Sequence, residues 1–190
     1  MTRRLALVLG VAVAAAALGW LLFIGAPRWT RRAAPARSSS ASLPQPAPAG
    51  RRIKARLFYV AEDGVRLNAV EREIPYAENT LDQAREIVNA QVAPVVDPLV
   101  SAVPAGTTLR AIFVTPDGQA YLDLSGELSR AHPGGSLNEL LTIYTLVDVV
   151  TANLPAINAV QILIDGKVVD TLAGHVDLRR PLMKNLDLVE

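Results

Sequence analysis

Few side chains in this sequence could transfer a proton or bind a metal. The 190 residues include two histidines, His132 and His175, and neither has a histidine or a carboxylate three or four residues after it. A metal site needs three or four converging ligands. Asp177 follows His175 by two residues, so the two side chains would share a face in a strand. We interpret both histidines as loop or edge residues and predict no metal site.

A nucleophilic serine is the second chemical possibility. Ser125 could act with His175 and Asp177 in a hydrolase, but the surrounding DLSGE lacks the Gly-x-Ser-x-Gly context of a nucleophile elbow. We expect Asp123 and Ser125 to hydrogen-bond to the backbone where a strand ends. A calcium loop over Asp123, Ser125 and Glu127 lacks the central glycine and the closing glutamate of an EF-hand. The hydrolase remains an alternative, and no catalytic residue is predicted.

Cofactor sites are not indicated either. The sequence has no P-loop and no Gly-x-Gly-x-x-Gly segment, and its glycines lie at predicted turns. The chain has no cysteine, which excludes disulfides, thiolate zinc sites, cysteine nucleophiles, iron–sulfur clusters and a lipid-modified cysteine. We therefore predict no cofactor and no enzymatic activity.

Charge is distributed unevenly along the chain. Residues 53–190 contain 11 Lys and Arg and all 18 Asp and Glu, a net charge of 11 − 18 = −7. A nucleic-acid-binding domain needs a basic patch to neutralise phosphates, so we exclude nucleic acid as a partner. Residues 1–52 carry no acid, and their arginines could pair with anionic headgroups. These arginines are Arg3, Arg4, Arg28, Arg31, Arg32, Arg37, Arg51 and Arg52.

Residues 1–25 are predicted to be a transmembrane anchor. The run from Leu5 to Pro27 holds no charged residue, and a helix of about 20 apolar residues spans a bilayer. A cleaved signal peptide is the alternative, but its apolar region is usually about 7–15 residues long. The flanking arginines favour a cytoplasmic domain, whereas the short N-terminal tail is typical of a secretory start. The residues alone leave the orientation open.

Residues 26–52 are predicted to be a disordered linker that precedes the domain of residues 53–190. The linker is rich in proline, alanine, arginine and serine, a composition that cannot bury enough apolar surface to fold. Its proline-rich half should be extended and semi-rigid.

Strand and helix patterns alternate through the domain. Apolar runs bounded by Asp-Gly or Pro-Asp-Gly turns predict strands, and apolar residues at helical spacing predict two main helices. The order ββα, ββ, α, ββ is typical of an α+β fold in which helices pack on one face of a mixed sheet. The predicted strands are Arg56–Val60, Val65–Val70, Thr108–Thr115, Gln119–Leu124, Ile157–Ile164, Lys167–Asp170 and Val176–Leu178, and the helices are Asn79–Ala93 and Ser136 to the stop at Pro155.

Both helix starts have the spacing of a capping box, with Thr80 and Gln83 in the first and Ser136 and Glu139 in the second. In the second helix an apolar stripe faces a row of polar residues that we expect to be solvated. Leu141→Asp should therefore destabilise the domain severely and Thr142→Asp hardly at all. The stripe is Leu137, Leu140, Leu141, Tyr144, Val147 and Val150, and the polar row is Asn138, Thr142, Thr145, Asp148 and Thr151.

Several segments of the domain occur in the order that is found in a known family. They are Pro104–Leu109, Gly118–Ser125, Gly135–Ser136 with Glu139, Val160–Gly166 and Leu172–Leu178. With them, residues 53 to about 182 resemble the GerMN domain of bacterial spore-germination, sporulation and other envelope proteins. Members often carry tandem copies and a lipid anchor, whereas this chain has one copy and a predicted helix.

The resemblance implies a non-catalytic module outside the cytoplasmic membrane, with a fold likened to the ring-building motifs of secretion channels. The favoured function is an interaction or assembly module of the cell envelope, in a sporulation- or germination-like complex. Its partner would be an envelope protein or a second copy, and open strand edges could carry the contact. An envelope hydrolase using Ser125, His175 and Asp177 is the alternative. A domain that binds a small ligand or a polysaccharide would need exposed aromatic residues. Most aromatic residues of this domain fall in predicted strands or helices.

Overall fold

The structure, a computed structural model, describes residues 50–190. The main strands and helices follow the predicted order, but the helix Glu127–Arg130, the strand Leu182–Met183 and the 3-10 turn Leu186–Leu188 were not predicted. The predicted anchor, and the predicted linker up to residue 49, lie outside the described residues. No helix within residues 50–190 is long and apolar enough to cross a membrane. The elements are β1 (Arg52–Val60), β2 (Leu67–Pro75), α1 (Thr80–Val92), β3 (Leu109–Val114), β4 (Gln119–Leu124), α2 (Glu127–Arg130), α3 (Ser136–Asn153), β5 (Ala159–Ile164), β6 (Lys167–Val168), β7 (Leu182–Met183) and a 3-10 turn (Leu186–Leu188).

The five-stranded sheet is mixed, as predicted. Its order is β3-β4-β5, with β6 and β7 both paired to β5. β3 and β4 are antiparallel, and β4 and β5 are parallel because α2 and α3 carry the chain back across the sheet. Leu122, Leu124 and Ile162 are buried, and both main helices contact this sheet, α1 at β3 and α3 at β5. The fold is therefore α+β, with a mixed sheet and two main helices.

The hairpin of β1 and β2 forms a separate two-stranded sheet. Its register runs from Arg52 opposite Pro75 to Val60 opposite Leu67. This separation corrects the expectation of one mixed sheet, because the order of elements along the chain does not say which strands pair. α3 contacts β1 of the hairpin as well as β5 of the mixed sheet.

Contact with both sheets buries α3 on the face that was predicted to be solvated. Thr142, Thr145 and Asp148 are each exposed by 1% or less, whereas Leu137 of the predicted apolar stripe is 38% exposed. The expectation that the polar row faces water is therefore wrong except at Asn138, which is exposed. Threonine fits such a position because its hydroxyl can bond to the preceding helical turn, and Thr142 Oγ1 donates to Asn138 O at 2.8 Å.

The edge of β1 opposite β2 is closed by amide side chains from both main helices. Gln91 of α1 accepts from Phe58 N and donates to Phe58 O, each at 2.8 Å. Asn153 of α3 does the same for Arg56, at 2.8 and 2.7 Å. These amides make the backbone hydrogen bonds that a neighbouring strand would otherwise make at an open edge. They also fix both helices against the hairpin.

Neither helix start is the capping box that its spacing predicts. The N-cap of α1 is Asn79, whose Oδ1 accepts from Asp82 N at 2.8 Å. Gln83 instead accepts from Ala77 N at 2.8 Å. At α3 the N-cap is Gly135, which has no side chain to bond.

The C-terminal segment ties together elements that are distant in sequence. Leu182 of β7 pairs with Val160 of β5, and Glu190 N donates to Leu67 O of β2 at 3.0 Å. The predicted strand Val176–Leu178 is wrong, since these residues lie in a loop of bends.

The burial of α3 leads to a revised prediction for its substitutions. Leu141→Asp and Thr142→Asp should each lower the free energy of unfolding by about 3 kcal/mol or more, because each places a charge in a buried site. Urea unfolding followed by circular dichroism measures both. Leu137→Asp is the control, because it is more exposed and adds an acid near the helix N-terminus, where it is tolerated. A Thr142→Asp protein as stable as the Leu137→Asp protein would contradict this packing.

Candidate functional site

The most completely bonded polar side chain is Glu139, in the first turn of α3. Its side chain is 0% exposed. Oε1 accepts from Leu172 N at 2.9 Å and Val176 N at 3.3 Å. Oε2 accepts from His175 N at 2.9 Å and lies 2.9 Å from His175 Nδ1. One buried carboxylate therefore holds the loop of residues 172–176 against the start of α3.

The charge of Glu139 is stabilised by these donors. Burial alone would raise the pKa of the Glu139 carboxyl, but hydrogen bonds from the loop backbone and from His175 lower it, and the net shift is downward. An ionised carboxylate accepts and does not donate, so His175 Nδ1 carries a proton in this contact. Sequence reasoning missed this role, because an acid in the first turn of a helix also fits a capping box.

The His175 ring is oriented by Glu139 and is partly open to solvent. Its side chain is 44% exposed and lines a depression of about 300 Å³ with Ser136, Leu137, Leu140 and Val176. A carboxylate that orients a histidine also occurs in catalytic triads. Within residues 50–190, however, no serine or threonine hydroxyl hydrogen-bonds to the other ring nitrogen.

The three residues of the hydrolase alternative bond to other partners. Ser125 Oγ accepts from Thr108 N at 3.1 Å. Asp177 accepts from the backbone and the guanidinium of Arg179, at 3.0 and 2.7 Å. His175 bonds to Glu139. No hydrogen bond between described residues joins Ser125, His175 and Asp177 into a triad.

Asp123 fastens the end of β4 to the turn between β5 and β6. Its Oδ1 accepts from Gly166 N at 2.7 Å, and its Oδ2 lies 3.3 Å from Arg110 Nη1. Asp165, in the same turn, accepts from Gly126 N at 3.1 Å. The contact of Ser125 with Thr108 and those of Asp123 confirm the predicted bonds from these side chains to the backbone.

The other candidates are also engaged locally. Glu127 pairs with Arg130, whose hydrogen bond lowers the pKa of the Glu127 carboxyl to about 2. His132 Nδ1 accepts from Gly134 N at 2.9 Å, and Nε2 lies 3.2 Å from Thr142 Oγ1. Among residues 50–190, no three His, Asp or Glu side chains are grouped to hold a metal ion.

Asp148 is a second buried carboxylate, with far fewer donors. Its Oδ1 accepts from Asn185 N at 2.9 Å, but Oδ2 and the nearby Thr145 Oγ1 have no partner in the described part of the chain. Burial raises the pKa of the Asp148 carboxyl to about 6, against smaller opposing effects of Asn185 N and Lys184. Asp148 thus holds the C-terminal segment through one hydrogen bond.

A cavity of about 360 Å³ opens beside the end of α1. It is lined by Val92, Pro94, Val103 and Pro104 among other residues, none of which can ionise. Acid–base catalysis needs a titratable group in reach of the substrate, so this cavity offers no such chemistry.

The segments that resemble the GerMN domain therefore make contacts that hold the fold together. A family model described as "Germane: Sporulation and spore germination" matches residues 56–170. The chain belongs to the Germane family. This confirms the resemblance to GerMN domains. A search of curated proteins finds no match.

Solved structures resemble the Germane domain in fold at low sequence identity. The first GerMN domain of the sporulation protein GerM from Bacillus subtilis is 16% identical, with 71% of this chain and 99% of that chain covered and a TM-score of 0.52. The tandem GerMN domains of that protein are also 16% identical, with 72% of this chain and 48% of that chain covered and a TM-score of 0.55. A Clostridium perfringens protein described as a lipoprotein is 23% identical, with 70% of this chain and 88% of that chain covered and a TM-score of 0.50. Each likeness shows the fold alone.

The Glu139 contacts predict a large effect for a small substitution in the Germane domain. Glu139→Gln should lower the free energy of unfolding at pH 7 by about 2–4 kcal/mol, because an NH₂ group replaces one acceptor oxygen opposite N–H donors. Amide exchange over residues 172–176 should rise with it. Because the pKa of Glu139 is lowered, its contribution is present above the ordinary carboxyl pKa and is lost at lower pH.

The control for Glu139→Gln is Glu78→Gln, which changes an exposed carboxylate. Unfolding in urea at pH 7 compares the two proteins. Equal stabilities would show that the buried contacts of Glu139 do not hold the loop.

The raised pKa of Asp148 predicts that its contribution to stability depends on pH with the opposite sign to that of Glu139. Its raised pKa means that the stabilisation from its protonation is present at low pH and is lost as the pH rises through about 6. The advantage of Asp148→Asn over the natural protein should therefore grow by about 1 kcal/mol between pH 5 and pH 8. Chemical unfolding at both pH values measures this, with the exposed Asp187→Asn as the control. An advantage that does not change with pH would contradict the burial of the charge.

Proposed function

We propose that this Germane protein is a membrane-anchored, extracytoplasmic and non-catalytic interaction module of the bacterial cell envelope. Residues 1–25 would form the single-pass anchor, residues 26–52 the linker, and residues 53–190 the interacting domain. The complex in which it acts would be one of sporulation or germination. Its partner would be another envelope protein or a second copy, in an assembly of the kind that ring-building motifs form.

One observation supports a non-catalytic module most strongly. The polar side chains of the family segments are occupied by the fold: Glu139 binds residues 172–176, Asp123 binds Gly166 and Ser125 binds Thr108. A catalytic group has to be free to exchange protons or electrons with a substrate. Among the described residues, the three that would serve a hydrolase bind separate partners, Ser125 to Thr108, Asp177 to Arg179 and His175 to Glu139. This leaves the surface of the domain to carry function.

The envelope location is supported by family and by composition. The family description names sporulation and spore germination, and the similar Clostridium perfringens protein is described as a lipoprotein. This chain has no cysteine to carry a lipid, so the apolar run of residues 1–25 would supply the membrane attachment.

The proposal predicts which changes abolish function in cells that depend on this protein. His175→Ala should retain function, because the ring performs no catalysis, whereas deletion of residues 30–45 should impair it by shortening the reach of the domain. Complementation of a deletion strain, at matched protein levels and with folding checked, compares them. A folded but inactive His175→Ala protein, with a functional deletion variant, would favour the hydrolase.

The orientation is tested on the same chain by a reporter fused after Glu190. Alkaline phosphatase, which is active after export, should be active there. Activity of a reporter that works in the cytoplasm alone would place the domain inside and refute the extracytoplasmic module.

A further inference from the structure

The C-terminal segment of residues 182–190 is a shallow cover on the domain. None of its side chains is buried, and that of Met183 is 74% exposed. Two strand pairs join the segment to β5, and a single bridge joins Val189 to Leu67 of β2. Segments that bury little apolar surface open locally at a lower cost in free energy than the core. We therefore expect this segment to open without unfolding of the core.

Beneath this cover lies Asp148 of α3, whose side chain is 0% exposed. Asn185 N of the segment donates to Asp148 Oδ1 at 2.9 Å. Asp148 Oδ2, and Thr145 Oγ1 one helical turn before it, have no partner within residues 50–190. The segment thus supplies the single donor that this carboxylate receives and also shields it from water.

Few charges act on Asp148 from the elements packed against α3, which are α1, β1, β5, β7 and the 3-10 turn. Lys184, directly after β7, favours the ionised carboxylate, but its effect is smaller than that of burial. No other charged side chain of the described residues shifts the pKa of Asp148. The charged residues on those elements and on α3 itself are Arg52, Lys54, Arg56, Asp82, Arg85, Glu86, Glu139 and Asp187.

Burial links the protonation of Asp148 to the position of the segment. While the segment covers Asp148, burial raises the pKa of the carboxyl to about 6. When the segment opens, the carboxyl regains water and its pKa returns toward the ordinary value of an aspartate. The closed state therefore binds a proton more tightly than the open state, so a rise in pH favours opening.

We propose that residues 182–190 form a pH-sensitive latch over Asp148, which is held closed when Asp148 is protonated and opens more often when Asp148 is ionised. Opening separates Asn185 N from Asp148 and β7 from β5, and it frees Leu67 O, which accepts from Glu190 N in the closed state. The backbone of β5 and β2 that the latch occupies then becomes available to another strand. The latch is a property of the domain and does not depend on the anchor or on the partner in the proposed function.

Hydrogen exchange of the full-length chain in dodecyl maltoside micelles, followed by mass spectrometry from pH 5 to pH 8, tests the latch. The opening constant of residues 182–190, corrected for the intrinsic exchange rate at each pH, should rise about tenfold between pH 5 and pH 7 and change little above pH 7. The amides of β4 should exchange far more slowly, because the latch opens without the core.

Two substitutions separate the carboxyl of Asp148 from general effects of pH. Asp148→Asn keeps an oxygen that can accept from Asn185 N but cannot ionise, so its opening constant should not change with pH. Asp187→Asn removes an exposed carboxylate of the same segment and is the control, which should keep the tenfold rise.

A second pair of variants tests the carboxyl without altering it. Lys184→Gln removes the ammonium group that favours ionisation of Asp148, so the pH at which opening rises should move upward. Lys167→Gln changes an exposed lysine on β6 and should leave that pH unchanged.

The outcomes decide the latch separately from the proposed function. An opening constant that stays the same between pH 5 and pH 7, or that rises equally in Asp148→Asn, overturns it. Exchange of residues 182–190 at the rate of the core also overturns it, because the segment would then open only when the whole domain unfolds. Each of these results leaves the anchored module in place, since complementation and the reporter fusion test that module.

Discussion

Helix α3 is buried along most of its length, so its polar side chains must bind other segments of the chain. A buried polar group without a partner costs about 1–3 kcal/mol, and most of those on α3 avoid this cost by contacting residues far away in sequence. Three of these contacts place a loop or the C-terminal segment, and that of Asn153 places β1. In this way one helix positions the hairpin, the loops on either side of the mixed sheet and the C-terminal segment. The contacts join Glu139 to residues 172–176, Thr142 to Ala102, Asp148 to Asn185 and Asn153 to Arg56.

The two buried acids of α3 illustrate how the number of donors decides the state of a carboxylate. Glu139 has backbone and imidazole donors at both oxygens, which more than offset the effect of burial on its pKa. Asp148 has one donor, and burial dominates. Both acids lie on the same helix and both are shielded from water, so local hydrogen bonding rather than depth makes the difference. Glu139 is therefore stabilised in its ionised form, whereas burial disfavours the ionised form of Asp148.

The same contacts bear on function. Residues such as Ser125, Asp123 and Glu139 have the chemistry of an active site, but in this Germane domain they bind backbone N–H groups. His175 is oriented by Glu139 without a nucleophile bonded to it in the described residues. Amide side chains of the two main helices in turn bind the backbone at the edge of β1.

The sequence by itself determined the order and type of the elements, the turns and the family, because these follow from local periodicity, turn chemistry and short ordered motifs. It also predicted that Asp123 and Ser125 bond to the backbone, but not that their partners are Gly166 and Thr108, which are 43 and 17 residues away. The separate hairpin, the buried polar row around Thr142, the loop at residues 176–178 and the partner of Glu139 were decided by tertiary structure alone. Each depends on groups that are distant along the chain. The pattern predicts that Thr142 is solvated, but the remote loop at Ala102 lies against it. It predicts that Glu139 is part of a helix cap, but a remote loop supplies its donors.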